Sequence, residues 1–232
     1  MRCDMNKEDF EAGKVILIDK PLEWTSFDVV RKIRNTIGIK KVGHAGTLDP
    51  LASGLLIVCT GKFTKKINNY MAQEKEYVGC ITLGAVTPTY DLESEPQQVV
   101  SELIIDENLV KDTAKKFVGT IDQVPPAHSA IKQKGKPVYL QARKGVDVKL
   151  EPRKINIYDF EIVHIDGPNV SFRVRCSTGT YIRSLANDFG AALGCGGYLS
   201  ALRRTMIGNF NVDEATDIHD FVARFKNISN KE

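Results

Sequence analysis

The segment GHAGTLDPLASGLL, residues 43–56, gathers groups that could do chemistry: one carboxylate (Asp49), one imidazole (His44) and three glycines (Gly43, Gly46, Gly54). An ionised carboxylate in such a loop can act as a nucleophile or stabilise developing positive charge. The glycines permit unusual backbone angles or close approach by other groups. Asp49 precedes Pro50, however, and Asp-Pro is first of all a turn signal. Taken alone, Asp49 reads as a turn residue and His44 as an ordinary histidine.

Three other chemistries are disfavoured. Gly61-Lys62 would complete the nucleotide-binding pattern GxxxxGK[ST] only with glycine at 56 and Ser or Thr at 63, where the chain has Leu56 and Phe63. No GxGxxG occurs to suggest a dinucleotide. A hydrolase with an aspartate nucleophile and a metal would want carboxylates near Asp49, and Glu23, Asp28 and Glu74 are not spaced as such a site.

The elements that must position these groups follow from periodicity. VILID (residues 15–19) reads as a strand. A helix then opens at Thr25 or Ser26 as N-cap and stops at Gly38, with Phe27, Val30, Ile33 and Ile37 as its buried face. LLIVCT reads as an apolar strand, followed by a short helix at about 64–71. In YVGCITLG, Tyr77, Gly79, Ile81 and Leu83 share one face of a strand. A helix is expected at about 108–118, with Leu109, Val110, Ala114, Phe117 and Val118 as its stripe. KINIYDFEIVHI and NVSFRVRCS alternate around the turn Asp166-Gly167-Pro168 and predict an antiparallel pair. A helix over 181–193 follows, with Thr180 as N-cap and Gly194 as stop. TMIGNFNV reads as a strand and EATDIHDFVARF as a last helix. The irregular mixture predicts an α+β fold, and no linker or repeat divides the chain, so one domain over 1–232 is expected.

The net charge of +3 is small, but it is segregated. Between residues 132 and 154 stand eight basic residues and two acidic ones, a local +6, and RKIRNTIGIKK has five basic residues and no acidic one. Two such runs flanking a candidate site favour a polyanionic partner. The first lies in a Pro- and Gly-containing insertion at about 124–153 that reads as an excursion from the sheet. The five cysteines are widely spaced without a CxxC pair, which argues against disulfides and a zinc knuckle. No signal peptide or membrane-length apolar run is present, so a soluble, cytoplasmic protein is expected.

GHAGTLDPLASGLL resembles the aspartate-bearing motif of the TruB family, the bacterial tRNA pseudouridine-55 synthases. The resemblance extends over about residues 14–210, in order, through KPLEWTS, KEY, LGxxTPTYD, QVPPAHSAIKQKGKPVYLQARKGV, CSTGTYIRSLANDFG and YLSALRRT. It implies a mixed, largely antiparallel sheet flanked by helices, and isomerisation of uridine to pseudouridine in the T loop of tRNA without cofactor, metal or obligate protein partner. Asp49 matches the essential aspartate, Tyr77 the active-site tyrosine and Arg183 the arginine that pairs with the aspartate. Lys20 matches a lysine of the first motif and is expected to contact the substrate RNA, His44 matches the histidine that helps hold the RNA with its target base turned out, and Leu202 an apolar residue lining the uracil pocket. The basic insertion, with Lys132, Lys134 and Arg143, would supply phosphate contacts.

The chain departs from the family pattern in three places. Glu23 stands where KPxGxTS has glycine, and Pro88 where aspartate is common. Family members also commonly end in a small RNA-binding PUA domain, for which the residues after the last motif are too few, so a form without it is expected. The rival reading is a catalytically inert tRNA-binding protein or RNA chaperone. The joint presence of Asp49, Tyr77 and Arg183 speaks against it, because binding alone needs no such set.

Overall fold

The computed structural model describes residues 6–129, 132–133, 136–137 and 150–229. The chain divides into two compact units, one running to Tyr77 and resuming at Leu202, the other Val78–Ala201. No linker marks this division, because the first unit is built from both ends of the chain. Architecture is α+β in each. The strands are β1 (Val15–Lys20), β2 (Val42–His44), β3 (Ala52–Thr60), β4 (Lys75–Leu83), β5 (Ala85–Val86), β6 (Gln97–Gln98) and β7 (Gly119–Gln123). After them come β8 (Lys132–Gln133), β9 (Lys136–Pro137), β10 (Arg153–Asp166), β11 (Asn169–Cys176), β12 (Gly197–Ile207), β13 (Phe210–Asn211) and β14 (Thr216–Asp217). The helices are α1 (Lys7–Ala12), α2 (Ser26–Ile37), α3 (Ile67–Met71), α4 (Glu107–Lys115), α5 (Ile182–Ala192) and α6 (Ile218–Ser229).

In the first unit β3 is the central strand. One edge pairs antiparallel with β1, whose other edge takes β14 in parallel. The opposite edge of β3 is shared: β2 runs antiparallel along Val58–Thr60, and β12 runs parallel along Ala52–Gly54. Helix α2 is started by a capping box of Thr25 and Asp28 and ended by Gly38 in the left-handed conformation. Its buried face is Val29, Val30, Ile33 and Ile37, whereas Phe27 is 57% exposed. At 3.6 residues per turn those four residues fall within an arc of about 100° that leaves Phe27 outside, so the expected stripe was one residue out of place. They pack with Ile16, Ile18, Leu56 and Val58 of the sheet and with Phe10, Ile218, Phe221 and Val222. Helix α1, which periodicity did not signal, serves to deliver Phe10, edge-on to Phe221 and Phe225. Full burial of such a ring contributes about 1.5–3 kcal/mol.

In the second unit β10 pairs antiparallel with β11, as the Asp166-Gly167-Pro168 turn predicts, and with β7 on its other edge. Phe117, Phe160, Phe172 and Phe189 form an edge-to-face aromatic cluster between sheet and helices. Helix α4 is shorter than expected, and Leu109 and Val118 lie outside its buried side. Helix α5 is not capped by Thr180, whose hydroxyl donates to the Ser177 carbonyl. The Gln123 side chain instead accepts from the Tyr181 amide at 2.8 Å and donates to its carbonyl at 3.1 Å. Strand β12 begins at Gly197, eight residues before the TMIGNFNV strand read from sequence. Within the basic insertion Lys132 lies in β8; Lys134 and Arg143 lie outside the described residues.

Candidate active site

Asp49 stands on a turn, as its proline neighbour predicts: the Ala52 amide donates to the Asp49 carbonyl at 3.1 Å, with Pro50 at the second position. Both flanks of this turn are tied down. On the N-terminal side, the buried Ser26 hydroxyl accepts from the Leu48 amide at 2.8 Å and donates to the Leu48 carbonyl at 3.2 Å. On the C-terminal side, the Glu23 amide donates to the Pro50 carbonyl at 2.8 Å. Glu23 adopts φ 65°, the left-handed backbone for which the family motif carries glycine.

Arg204 closes the arrangement from β12. Its side chain is 1% exposed, and its guanidinium donates from Nε to the Leu55 carbonyl at 2.7 Å, from Nη2 to Gly46 at 3.1 Å and from Nη1 to Thr47 at 3.5 Å. Among the described residues it has no carboxylate partner. Gly54 makes this possible. A Cβ there, at φ 103°, would lie 2.3 Å from the Arg204 carbonyl oxygen, so only glycine lets the two backbones approach so closely.

Lys20, read from the family motif as an RNA contact, is fully buried, and its ammonium donates to the carbonyls of Pro21 at 2.7 Å and Trp24 at 2.6 Å. Burial brings its pKa down to about 8, opposed by the negative charge of Asp49 and reinforced by the positive charge of Arg204. His44 ends β2 and is half-buried; burial first, then the Arg204 charge, lower its pKa, which keeps the imidazole neutral. Leu202, half-buried on β12, is in register with Ala52. Tyr77 is buried on β4, on the face it shares with Lys75 and Ile81. On the other face of that strand Glu76 accepts from the Thr205 hydroxyl at 2.9 Å.

Arg183 belongs to the second unit, in the first turn of α5. It is 5% exposed and lies 3.6 Å from the buried Asp91 carboxylate, and it donates to the carbonyls of Thr89 and His128, each at 3.2 Å. A cation near a helix N-terminus opposes the dipole, and Asp91 offsets that cost. The sequence pointed to neither Asp91 nor Arg204, although TPTYD and ALRRT contain them, and it offered Ser26 only as a possible helix cap, a place that Thr25 takes. Among the described residues no group of three or more His, Cys, Asp or Glu side chains could hold a metal ion, and no helix is long and apolar enough to cross a membrane.

Sheet, turn and buried cations of this kind define a class once the chain is compared with known proteins. Residues 34–182 match the TruB family pseudouridylate synthase N-terminal domain, and residues 183–232 match the tRNA pseudouridylate synthase B C-terminal domain. The chain belongs to the TruB family of pseudouridine synthases. It is 52% identical to the tRNA pseudouridine synthase B of Flavobacterium johnsoniae, covering 92% of this chain and 96% of that protein. It is 47% identical to the protein of the same name from Parabacteroides distasonis, covering 92% and 95%. Among solved structures, an H/ACA ribonucleoprotein bound to a substrate RNA containing 2′-deoxyuridine shares 30% identity at a TM-score of 0.73. That match covers all of this chain, which spans 61% of the other.

Proposed function

We propose that this enzyme converts uridine 55 in the T loop of tRNA to pseudouridine, in the cytoplasm, with Asp49 as its essential carboxylate. The reaction breaks the bond from uracil N1 to ribose C1′, turns the base and joins C5 to C1′. A proton leaves C5 and N1 gains one, so nothing is oxidised and no group is added. Such a reaction needs a nucleophile or electrostatic stabiliser rather than a cofactor. Asp49 acts at ribose C1′ or at uracil C6.

The observation that carries this reading is the fixation of Asp49: its turn is held at Leu48, at Pro50 and at Gly46, Thr47 and Leu55 by groups from three other segments. A preset carboxylate loses little entropy on reaching the transition state. Tyr77 and Arg183 complete the catalytic set that the family resemblance assigns, Tyr77 by stacking on the base and moving the proton at C5. The target uridine is taken out of its loop at a cost of a few kcal/mol, and His44, neutral and half-buried, holds the RNA in that state. Leu202 lines the uracil pocket. The basic insertion, including Lys132, Lys134 and Arg143, contacts phosphates of the T arm. The burial of Lys20 suits an electrostatic role beneath Asp49 better than direct contact with RNA.

Pseudouridine mapping in tRNA from cells lacking the gene tests this reading. Loss confined to position 55, restored by the parent enzyme and not by Asp49→Asn, is the expected result. An unchanged map, or restoration by Asp49→Asn, would defeat it, and tRNA binding without modification would favour an inert chaperone.

A further inference from the structure

We propose that Ser26 and Arg204 are positioning residues for the reaction: they hold the backbone on both sides of Asp49 and so set where its carboxylate stands. The inference rests on the reading of Asp49 as the catalytic carboxylate and adds two residues to which no chemistry has been assigned.

Ser26 spends its hydroxyl on one residue, taking the Leu48 amide and giving to the Leu48 carbonyl. Both backbone groups of the residue before Asp49 are thereby fixed from helix α2, whose own start is locked by the Thr25–Asp28 capping box. Ser26 is 2% exposed, so water is poorly placed to replace either bond. Arg204 works from the opposite side. Its three donors reach Gly46 and Thr47, before Asp49, and Leu55, after it, so one planar fork spans the whole loop. An ammonium concentrates its donors on one atom, whereas the planar guanidinium spreads them over three nitrogens and so holds all three carbonyls in a fixed relation. The fork is carried on a paired strand, because β12 is in register with Ala52, Ser53 and Gly54 at Leu202, Arg203 and Arg204. Neither residue faces solvent, so neither is available to bind RNA. Their loss should therefore appear in the chemical step and not in affinity.

The test is single-turnover pseudouridine formation at saturating T-arm stem-loop RNA, with RNA affinity measured separately, for the parent, Ser26→Ala, Arg204→Lys and Asp49→Asn. Ser26→Ala and Arg204→Lys are each expected to slow the chemical step by roughly 10- to 100-fold, since displacements near 1 Å cost about that much, while RNA affinity and cooperative melting persist. A parent-like rate in Ser26→Ala, or a loss confined to affinity, overturns the proposal. Full activity in Arg204→Lys would mean that charge suffices and would overturn the positioning role of the fork. If Arg204→Lys does not fold, Ser26→Ala decides. Substantial turnover by Asp49→Asn would instead defeat the reading of Asp49, a result distinguishable from either.

Discussion

Lys20 and Arg204, both buried, stand in register on either side of Gly54, Lys20 on β1 and Arg204 on β12. Residues so paired across strands point to the same face of a sheet, and Gly54 between them has no side chain to separate them. Two cations therefore lie on one face at the strand that leads out of the Asp49 turn. On the opposite face Asp19 and Arg203 make an ion pair at 2.6 Å that is partly open to solvent. The sheet thus places an ion pair on one face and two cations on the other, where the carboxylate of Asp49 acts on Lys20.

This pairing gives Lys20 opposite effects on stability and activity. Its folded pKa is about 8 and its ordinary value 10.5, so between those values the unfolded chain binds more protons than the folded one. The cost of burying the ammonium is complete below about pH 8 and fades as pH rises toward 10.5, so this group makes the fold more stable with rising pH. Turnover should do the reverse, falling above pH 8 as the charge beneath Asp49 is lost. In Lys20→Met the alkaline limb near pH 8 should disappear from the rate profile and this pH-dependent gain in stability from the unfolding curves. An unchanged alkaline limb in that variant would remove Lys20 from the electrostatics of the reaction.

Glu23 holds φ 65° on an exposed turn and contributes its amide to Pro50. A left-handed residue with a side chain costs about 1–2 kcal/mol, while glycine adds roughly 0.4–1 kcal/mol of freedom to the unfolded chain. Glu23→Gly should accordingly stabilise the protein by up to about 1 kcal/mol with the rate unchanged, read by urea unfolding. A loss of stability would show that the Glu23 side chain has an attraction that outweighs its strain.

Gly54→Ala should be far more damaging. The added methyl meets the Arg204 backbone, which cannot retreat without breaking the β3–β12 pairing. A loss of more than about 3 kcal/mol, or failure to fold, is expected from overpacking combined with the unfavourable φ. Thermal melting of the variant checks this, and a melting temperature within a few degrees of the parent would contradict the register.

How far the fold could be read from sequence depended on whether the signal was local. The α2 cap, the Asp49–Ala52 turn and the β10–β11 hairpin were legible because side chains within a few residues specify them. Helix α1 carries a capping box of Asn6 and Asp9, but it is too short to display a period, and its purpose, Phe10, is a long-range contact. The buried cations were hidden for a different reason. Successive residues of a strand face opposite ways, so Arg203-Arg204 had to place one guanidinium inward. That signal lies in ALRRT, ahead of Thr205, where the TMIGNFNV pattern begins, although the strand itself starts at Gly197. Asp91 and Arg183 are far apart in sequence, and nothing local says that their charges meet.

The Asp91–Arg183 pair yields a prediction of its own, since both side chains are buried. Removing one partner strands the other charge away from water, which typically costs about 3–5 kcal/mol. Arg183→Met should therefore destabilise strongly, and adding Asp91→Asn should recover part of the loss. A double-mutant cycle by urea unfolding gives the coupling, and strictly additive losses would show that the pair does not act as a unit.

The basic insertion can be tested by ionic strength, because phosphate contacts release counterions while chemistry at Asp49 does not. Each contact contributes about 0.7–0.9 to the slope of log affinity against log salt. If Lys132, Lys134 and Arg143 each meet a phosphate, replacing all three by alanine should make that slope shallower by roughly 2–3. It should weaken T-arm binding most at low salt and leave the single-turnover rate at saturating RNA near the parent value. An unchanged slope would assign the polyanion to the other basic run, RKIRNTIGIKK, whose Arg31 already pairs with Asp28. A fall in the saturated rate instead would mean that the insertion takes part in placing the uridine and not only in holding the arm.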